Sequence, residues 1–420
     1  MRHYYIYTLL LCFLFGDSLF AQQQPLQFFR ENDKRGLNQF ETGKEDTVEF
    51  KGLNVRVGGD FAMQFQGIEQ SNDMGNLVDL GQDFNLPSAN LNLDVQLQDG
   101  VRMHLRTYLS SRHHYEAWIK GGHIQIDKLN FIKDGFLEGL MKYSTIRIGL
   151  DEFNYGDTRF RRSDNARAIF NPFVGNYLMD SFSTEAFGEY TFQYQGFLAV
   201  LGVSNGKLNQ NVRLNENSDN QPSFFGKLGY DKQLNDDLRV RLTGSWYVNH
   251  GSTTGTWLYG GDRAGSRYYN VLHTAEGGSN FEGRHNARFT KITAFQINPF
   301  VKFKGLEFFG VYEVAMGNDE ISPNIREGEF TQIGAELLYR FGSDEKLFIG
   351  GRYNHVFGKR LEIEDEDIEI TRVNAGIGWF MTRNILLKGE YVIQNYEGPW
   401  LGKYAGAEFK GIVLEAVIGF

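Results

Sequence analysis

The amino-acid sequence predicts an all-β protein, a single closed antiparallel transmembrane β-barrel of about 16 strands. Three observations lead to this fold class. Apolar and polar residues alternate through most of the chain, and the connections between the alternating segments are short and long in turn. Many of these segments also reach the ~9–11 residues that a tilted membrane-spanning strand needs.

The alternation is clearest in the segment 238–248. Leu238 and Leu242 fall on one face of an extended strand and Arg239 and Arg241 on the other, because successive side chains of a strand point to opposite faces. A period of two therefore indicates strand rather than helix. We predict strands at 53–66, 91–97, 101–106, 118–127, 144–151, 186–195, 197–204, 223–231, 238–248, 293–303, 306–316, 331–341, 347–357, 369–380, 385–394 and 411–420.

The connections between the predicted strands alternate between short turns and long loops. Asp-Gly at 99–100 is a strong signal for a tight hairpin. Other short turns are predicted at 195–196, 231–237, 304–305, 342–346 and 381–384. Long polar loops are predicted near 67–89, 204–222, 249–291, 317–330, 358–368 and 395–407. Transmembrane barrels have short periplasmic turns and long extracellular loops, so this asymmetry predicts the orientation.

One connection departs from this asymmetry. The segment 128–143 stands where a short periplasmic turn is expected, but it is long and apolar. We interpret it as a small periplasmic helix.

A soluble β-sandwich is the main alternative fold, because it also buries one face of each strand and exposes the other to water. The loop asymmetry, the strand lengths and the expected absence of a second apolar layer favour the membrane barrel. Aromatic residues make up 15% of the chain, which fits belts at the two membrane–water interfaces. Candidates for these belts are Tyr312, Tyr339, Phe341, Tyr353, Trp379 and Tyr391.

The chain divides into three predicted parts. Residues 1–21 have a short polar start and a long apolar stretch before a polar run, which indicates a signal peptide cleaved after Ala21. The single cysteine, Cys12, lies within it, so the mature chain is expected to have no disulfide bond and no cysteine-bound metal. Residues 22–52 form a periplasmic N-terminal segment, either flexible or folded as a plug at the barrel mouth, and residues 53–420 form the barrel.

The alternating C-terminal stretch ends in Phe420 and resembles the signal by which Gram-negative outer-membrane proteins are recognised by the barrel-insertion machinery. The pattern of the mature chain resembles the Gram-negative outer-membrane porin families, including the phosphate-selective type. The resemblance implies a homotrimer in the outer membrane of a Gram-negative bacterium, in contact with lipid and lipopolysaccharide. It also implies passive diffusion of small polar or anionic solutes, with no cofactor.

Two functions of other classes stay open, an outer-membrane enzyme and a surface adhesion or assembly component. The enzyme would need a triad or paired carboxylates at the outer rim, and the sequence shows no recognised catalytic spacing. We therefore expect no enzymatic activity. An adhesion component would use the long loop 249–291. The formal net charge of −9 argues against nucleic acid as a partner.

The connection 152–184, which follows the fifth predicted strand, is the candidate pore constriction. In trimeric porins the loop at this position folds inward and narrows the channel, and the resemblance implies the same here. The constriction candidates are Arg159, Arg161, Arg162, Arg167, Asp157 and Asp164. Guanidinium groups bind carboxylate and phosphate well, which suggests an anion preference, but the acidic residues balance them. An external loop held by internal salt bridges is the alternative.

The inward faces of the strands predict a wet and charged lumen. The candidate wall residues are Arg56, Arg102, Arg106, Arg147, Arg239, Arg241, Arg352, Glu189, Glu336 and Glu390. Arginines are denser in the N-terminal half of the wall and carboxylates in the C-terminal half. Opposed charges across a water-filled pore make a transverse field that filters ions. Ordinary solvated residues that pair with their neighbours are the alternative.

Two weaker signals lie in the connections. The adjacent histidines His113 and His114 are metal-ligand types, but without partners they are typical of a solvated loop. The acidic stretch 362–370 is either a solvated loop or a bridge for divalent cations. We predict no metal site at either place.

Overall fold

The computed structural model describes residues 23–45, 48–85, 88–110, 117–164, 167–207, 212, 221–251, 258–259, 269–276, 281–318, 327–360 and 366–420. Within these residues sixteen antiparallel strands form one closed barrel. The strands are β1 Asn54–Ser71, β2 Ser88–Gln98, β3 Val101–Ser110, β4 Ala117–Ile126, β5 Ser144–Glu152, β6 Thr184–Tyr194, β7 Phe197–Ser204, β8 Ser223–Gln233, β9 Leu238–Asn249, β10 Lys291–Phe303, β11 Leu306–Asn318, β12 Glu327–Phe341, β13 Leu347–Arg360, β14 Ile368–Phe380, β15 Ile385–Glu397 and β16 Glu408–Gly419.

The remaining secondary structure is short. The two-residue strand Asp83–Phe84 pairs with β1, and Tyr269–Asn270 pairs with Phe281–Glu282 in the connection between β9 and β10. One helical turn, α1, spans Glu138–Met141, and 3-10 turns lie at Lys34–Gly36, Thr158–Phe160 and Gly402–Tyr404. No helix in the described residues is long and apolar enough to cross a membrane.

The barrel closes by pairing of its first and last strands. β1 and β16 are antiparallel in a register that runs from Asp60 opposite Gly419 to Ser71 opposite Glu408. The Gly59 N–H also donates to the Phe420 carbonyl at 3.0 Å. Closure leaves no free strand edge, which a sheet in hydrocarbon requires because lipid cannot pair backbone groups. The predicted fold class is confirmed.

The outer face of the barrel is apolar. In β9 the Leu242 side chain is 56% exposed whereas Arg241, its neighbour in sequence, is 3% exposed. All six residues predicted for the aromatic belts are exposed. An exposed apolar face around a closed barrel is the surface that a bilayer needs, so the strands span the membrane.

The connections follow the predicted asymmetry. The turns on one end have two to five residues between strands, and 127–143 is the single long connection there. Its predicted helix is present as α1. The loops on the other end are longer, although several strands extend further into them than the sequence predicts, such as β1 to Ser71 and β12 from Glu327.

The prediction that the barrel has no second apolar layer is wrong. An apolar cluster fills part of the lumen and is built from two long connections and from the ends of several strands. The connections contribute Phe153, Tyr155, Leu178, Tyr259, Tyr269, Leu272 and Phe289, and the strands contribute Phe187, Phe225, Phe330 and Phe409. The cluster forms because connections that fold into the lumen need apolar partners to bury their own side chains.

Candidate functional site

The described residues 153–164 and 167–183, between β5 and β6, lie inside the barrel and are called the inward loop. It is held by wall residues of β10 to β15. The Tyr177 hydroxyl donates to Glu336 at 2.8 Å, and the backbone N–H of Leu178 donates to Asn354 Oδ1 at 2.6 Å. The Val174 N–H donates to a carboxylate oxygen of the same wall at 2.8 Å. The inward loop therefore covers the C-terminal half of the wall. Its role as the channel constriction stays a prediction.

Two of the four candidate arginines of the inward loop are buried in ion pairs against that wall or within the loop. Arg161 reaches Glu307 at 2.7 Å and Glu336 at 3.0 Å. Arg162 reaches Asp180 at 2.6 Å and Asp164 at 3.1 Å. These guanidinium groups fix the loop in place, because a buried charge is stable only when it is paired.

The other two arginines face the opposite side of the lumen. Arg159 and Arg167 share the carboxylate of Glu152 at the end of β5, and Arg159 lies 3.1 Å from it. Burial lowers the pKa of Arg167 to about 10, and the charge of Arg159 acts in the same direction. The predicted constriction group is thus divided between two places.

Asp157 and Asp164 do not line an opening. Asp157 accepts from Lys227 at 2.7 Å and from Arg241 Nε at 2.7 Å. Burial acts to raise the pKa of Asp157, but the charges of Arg241 and Lys227 outweigh it and lower the pKa. Asp164 accepts from Lys120 at 2.6 Å. Both carboxylates therefore anchor the inward loop to the wall.

The connection between β9 and β10, predicted as an external loop, also enters the lumen. The Tyr259 hydroxyl donates to Glu313 at 2.8 Å, and the Tyr269 hydroxyl donates to Glu390 at 2.6 Å. The His285 N–H donates to the backbone of the inward loop at 2.7 Å. The parts of this connection at 252–257, 260–268 and 277–280 lie outside the described residues.

The carboxylates of the C-terminal half of the wall are therefore covered. Glu336 is paired with Arg161 and with Arg352, which approaches to 2.7 Å. Glu390 accepts from Tyr269 and from the inward loop. The transverse field across the lumen stays a prediction, and these two carboxylates lie beneath the packed loops, Glu336 in ion pairs and Glu390 in hydrogen bonds.

The described part of the N-terminal segment is residues 23–45 and 48–52, and it places Phe40 and Glu41 inside the short-turn end of the lumen. Glu41 lies 2.8 Å from Arg241 and 3.3 Å from Lys227. The Phe40 ring packs edge-on between two aromatic rings of the lumen, with centroids 5.6 and 5.3 Å away. Burial acts to raise the pKa of Glu41, but Arg241 and Lys227 hold it well below its usual range. Residues 1–21, the predicted signal peptide, lie outside the described residues.

The N-terminal half of the wall carries a cross-strand row of polar side chains. Strand pairing places Gln96, Arg102, Gln125, Arg147 and Glu189 side by side on β2 to β6. Arg102 donates to Gln125 at 2.9 Å, and Arg147 lies 3.2 Å from Glu189. The row forms because inward-facing positions of neighbouring antiparallel strands stand opposite one another.

A second row lies directly beside the first. Asp94, His104 and His123 are opposite one another on β2 to β4. The Asp94 carboxylate lies 2.7 Å from Arg102 and 2.9 Å from His104 Nδ1. The two imidazole rings are 5.2 Å apart. These histidines are missing from the predicted site, although the alternation places His104 on the same face as Arg102.

Between this wall and the inward loop lies a cavity of about 160 Å³, called the arginine cavity. Six arginines and three carboxylates line it, together with both histidines. The charged residues are Arg30, Arg102, Arg106, Arg147, Arg159, Arg167, Glu41, Asp94 and Glu189. Glu41 and Gln193 also line a second cavity of about 450 Å³ at the short-turn end. The arrangement can attract and hold anions, since cations outnumber carboxylates in the lining.

The remaining wall candidates lie away from the arginine cavity. Arg56 pairs with Glu31 at 2.7 Å. Arg239 pairs with Asp231 at 2.7 Å near the short-turn end. Arg241 and Arg352 are buried in the ion pairs described above.

The sequence signals in the connections are not tested by the structure. His113 and His114 lie outside the described residues, as do residues 361–365 of the acidic stretch. Within the described ranges, no group of three or more His, Cys, Asp or Glu side chains is arranged to hold a metal ion.

Comparison with known proteins supports the fold rather than a family. No family model matches the chain, and no curated protein matches its sequence. Among solved structures, the anion-selective porin from Comamonas acidovorans is 10% identical, covers 88% of this chain and 100% of its own, and has a TM-score of 0.53. The trimer form of OmpT, an outer-membrane protein of Vibrio cholerae, is 11% identical over 88% of this chain and 100% of its own, with a TM-score of 0.51. The chain thus has the barrel fold of outer-membrane porins.

Proposed function

We propose that the protein is a channel of the Gram-negative outer membrane through which small polar solutes diffuse passively. A closed barrel with an apolar exterior replaces lipid by a polar path, and the proteins that share its fold are outer-membrane porins. The channel performs no chemistry in this proposal.

The observation that carries the proposal is the position of the remaining space. The inward loop and the described parts of the connection between β9 and β10 occupy the C-terminal half of the lumen. The arginine cavity lies against β2 to β6, and it shares Glu41 and Gln193 with the larger cavity at the short-turn end. The solute path therefore follows the N-terminal half of the wall and passes the inward loop at Arg159.

Anion preference is the finer part of the proposal. The arginine cavity is lined by twice as many arginines as carboxylates, and a cationic lining raises the local concentration of anions. The porin from Comamonas acidovorans that shares the fold is described as anion-selective, which agrees with this preference.

The partners follow from the same proposal. The exposed apolar face contacts outer-membrane lipid, and the barrel assembles as a homotrimer, as OmpT does in its trimer form. Recognition of Phe420 by the insertion machinery and cleavage of residues 1–21 as a signal peptide belong to this proposal as well.

Planar-bilayer recording tests the function. Purified protein is expected to give stable, small conductance steps, because the packed loops leave a narrow path, and the reversal potential in a KCl gradient is expected to show anion preference. Membranes that receive detergent alone are the control. A folded barrel that never conducts would contradict the channel, and cation preference would contradict only the finer part.

A further inference from the structure

Several cationic side chains beside the arginine cavity have nitrogen atoms without a hydrogen-bond partner. In the described part of the chain these include Nε of Arg102, Arg106 and Arg159 and Nη1 of Arg30. All four arginines line the cavity, and Arg102, Arg106 and Arg159 are at most 7% exposed. Buried donors are rarely left unpaired in folded proteins, so a missing acceptor at this place needs an explanation.

Two carboxylates of this wall, Asp94 and Asp151, are each shared between an arginine and a histidine. Asp94 serves both Arg102 and His104. Asp151 lies 3.1 Å from Arg106 and 2.8 Å from His123. The local carboxylates therefore cannot satisfy the donors around them.

The same shortage is present on the inward loop. Glu152 serves both Arg159 and Arg167. The Arg30 guanidinium lies 3.9 Å from the centre of the Phe170 ring and donates to the carbonyls of Gly36 and Phe160 at 3.0 and 3.2 Å. None of these partners of Arg30 carries a negative charge. The group as a whole therefore has an excess of positive charge.

The size of the cavity limits what can balance this charge. A cavity of about 160 Å³ has room for several water molecules, and therefore for a small anion in their place. The space suits an anion of the size of phosphate or a small carboxylate. Planar guanidinium groups bind oxyanions through two oxygens at once, whereas chloride offers no such geometry.

We propose that the arginine cavity is a saturable binding site for a small oxyanion, a carboxylate or a phosphate. Arg102 and Arg106 hold it from the wall and Arg159 from the inward loop. The inference rests on the proposed function, since it names the solute class of the same path. It differs from a general anion preference because it requires a site that fills.

Titration calorimetry on the full mature protein in detergent tests the inference. Sodium phosphate and sodium succinate are titrated in separate experiments, with sodium chloride as the reference salt. We expect at least one oxyanion to bind saturably, once per chain, while chloride gives no saturable heat. The salt that binds saturably, phosphate or succinate, identifies the oxyanion. Failure of both oxyanions to saturate would overturn the inference.

Matched variants locate the site. Arg102→Gln is expected to weaken binding about tenfold or more, because it removes charge-assisted hydrogen bonds. Arg102→Lys is expected to recover part of the affinity through charge alone. Lys302→Gln is the control, because Lys302 pairs with Glu345 at 2.8 Å and does not line the cavity. The affinity of this variant for the oxyanion should stay within about twofold of that of the parent. Equal weakening by both Gln variants would overturn the site assignment.

Two further measurements keep the outcome interpretable. If Arg102→Gln does not fold, Arg147→Gln replaces it, since Arg147 is 14% exposed and has Glu189 as its ion-pair partner. Conductance is recorded on the same samples. A protein that conducts without binding oxyanions loses the inference and keeps the channel, whereas one that binds without conducting keeps the site and loses the channel.

Discussion

The Glu41 carboxylate lies 2.8 Å from the Arg241 guanidinium, which joins the N-terminal segment to the barrel wall. Arg241 also pairs with Asp157 at 2.7 Å. The wall arginine therefore stays neutralised if Glu41 loses its charge. The contact offers a way to loosen the segment without leaving an unpaired charge in the lumen.

Glu41→Gln is expected to loosen the N-terminal segment while the barrel stays folded. Lys44 and Arg35 should then become cleavable by trypsin in detergent-solubilised protein, and mean conductance should rise. Glu45→Gln is the matched control, because Glu45 is exposed. Equal trypsin resistance of the parent and Glu41→Gln would show that this contact does not hold the segment.

The same contact predicts a flat response to mild acid. The pKa of Glu41 is held well below the ordinary value of 4.5 by Arg241 and Lys227. A carboxylate with a lowered folded-state pKa contributes stability above its unfolded pKa and loses it only as the pH falls through the folded value. Trypsin protection of the segment should be the same when the digestion is carried out at pH 7 and at pH 5, each compared with an unfolded substrate digested at the same pH. A loss at pH 5 would contradict the ion pair.

Arg161 is expected to stabilise the packed inward loop. Arg161→Gln removes buried ion pairs to Glu307 and Glu336, and breaking such pairs costs about 3 kcal/mol. Arg239→Gln is the comparison, because its pair with Asp231 is partly exposed and contributes less than about 1 kcal/mol. Urea unfolding in lipid vesicles measures both. Similar effects of the two changes would argue against a buried anchor.

Selectivity should depend on which arginine of the inward loop is changed. Arg159 lines the arginine cavity, whereas Arg162 pairs with Asp180 and Asp164 and does not. Arg159→Gln is therefore expected to shift the reversal potential in a KCl gradient toward cations, and Arg162→Gln is expected to leave it unchanged in channels that fold. If only Arg162→Gln shifted the reversal potential, the solute path would not pass Arg159.

The apolar exterior predicts a strong penalty for charge. Leu242 is 56% exposed on the outer face of β9, and Leu234 is 50% exposed in the turn before it. Leu242→Arg should destabilise the barrel in lipid vesicles by about 2 kcal/mol or more. Leu234→Arg should be tolerated, because the turn lies in water. Tolerance of both would mean that β9 does not face lipid.

The face that each strand turns toward the lumen can be predicted from the sequence, because a period of two reports it directly. Arg241 and Leu242 lie where the alternation places them. Even β7, whose residues alternate poorly, is found at its predicted position. Strand ends are less certain, since β1 continues to Ser71 through residues whose polarity resembles that of a loop.

The lumen could not be predicted in the same way. The hydroxyl of Tyr269 contacts Glu390, 121 residues away in the chain, and no local pattern shows that a polar connection will fold inward. Whether a wall carboxylate faces open lumen or is covered by a loop depends on such long-range contacts. The sequence identifies Arg159 and Arg161 equally as candidates. Only the folded loop shows that Arg159 lines the arginine cavity, whereas Arg161 is paired with Glu307 and Glu336 of the wall.

The Asn32 side chain lies 3.4 Å from the Phe420 carbonyl, across 388 positions of the chain. The barrel thus encloses residues from the start and the middle of the chain, and pairing of β16 with β1 closes it. Asn32 can make this contact only once β16 has paired with β1, so packing of the N-terminal segment is coupled to closure of the seam. Shortening either enclosed piece should therefore alter the order and speed of assembly as well as the finished pore.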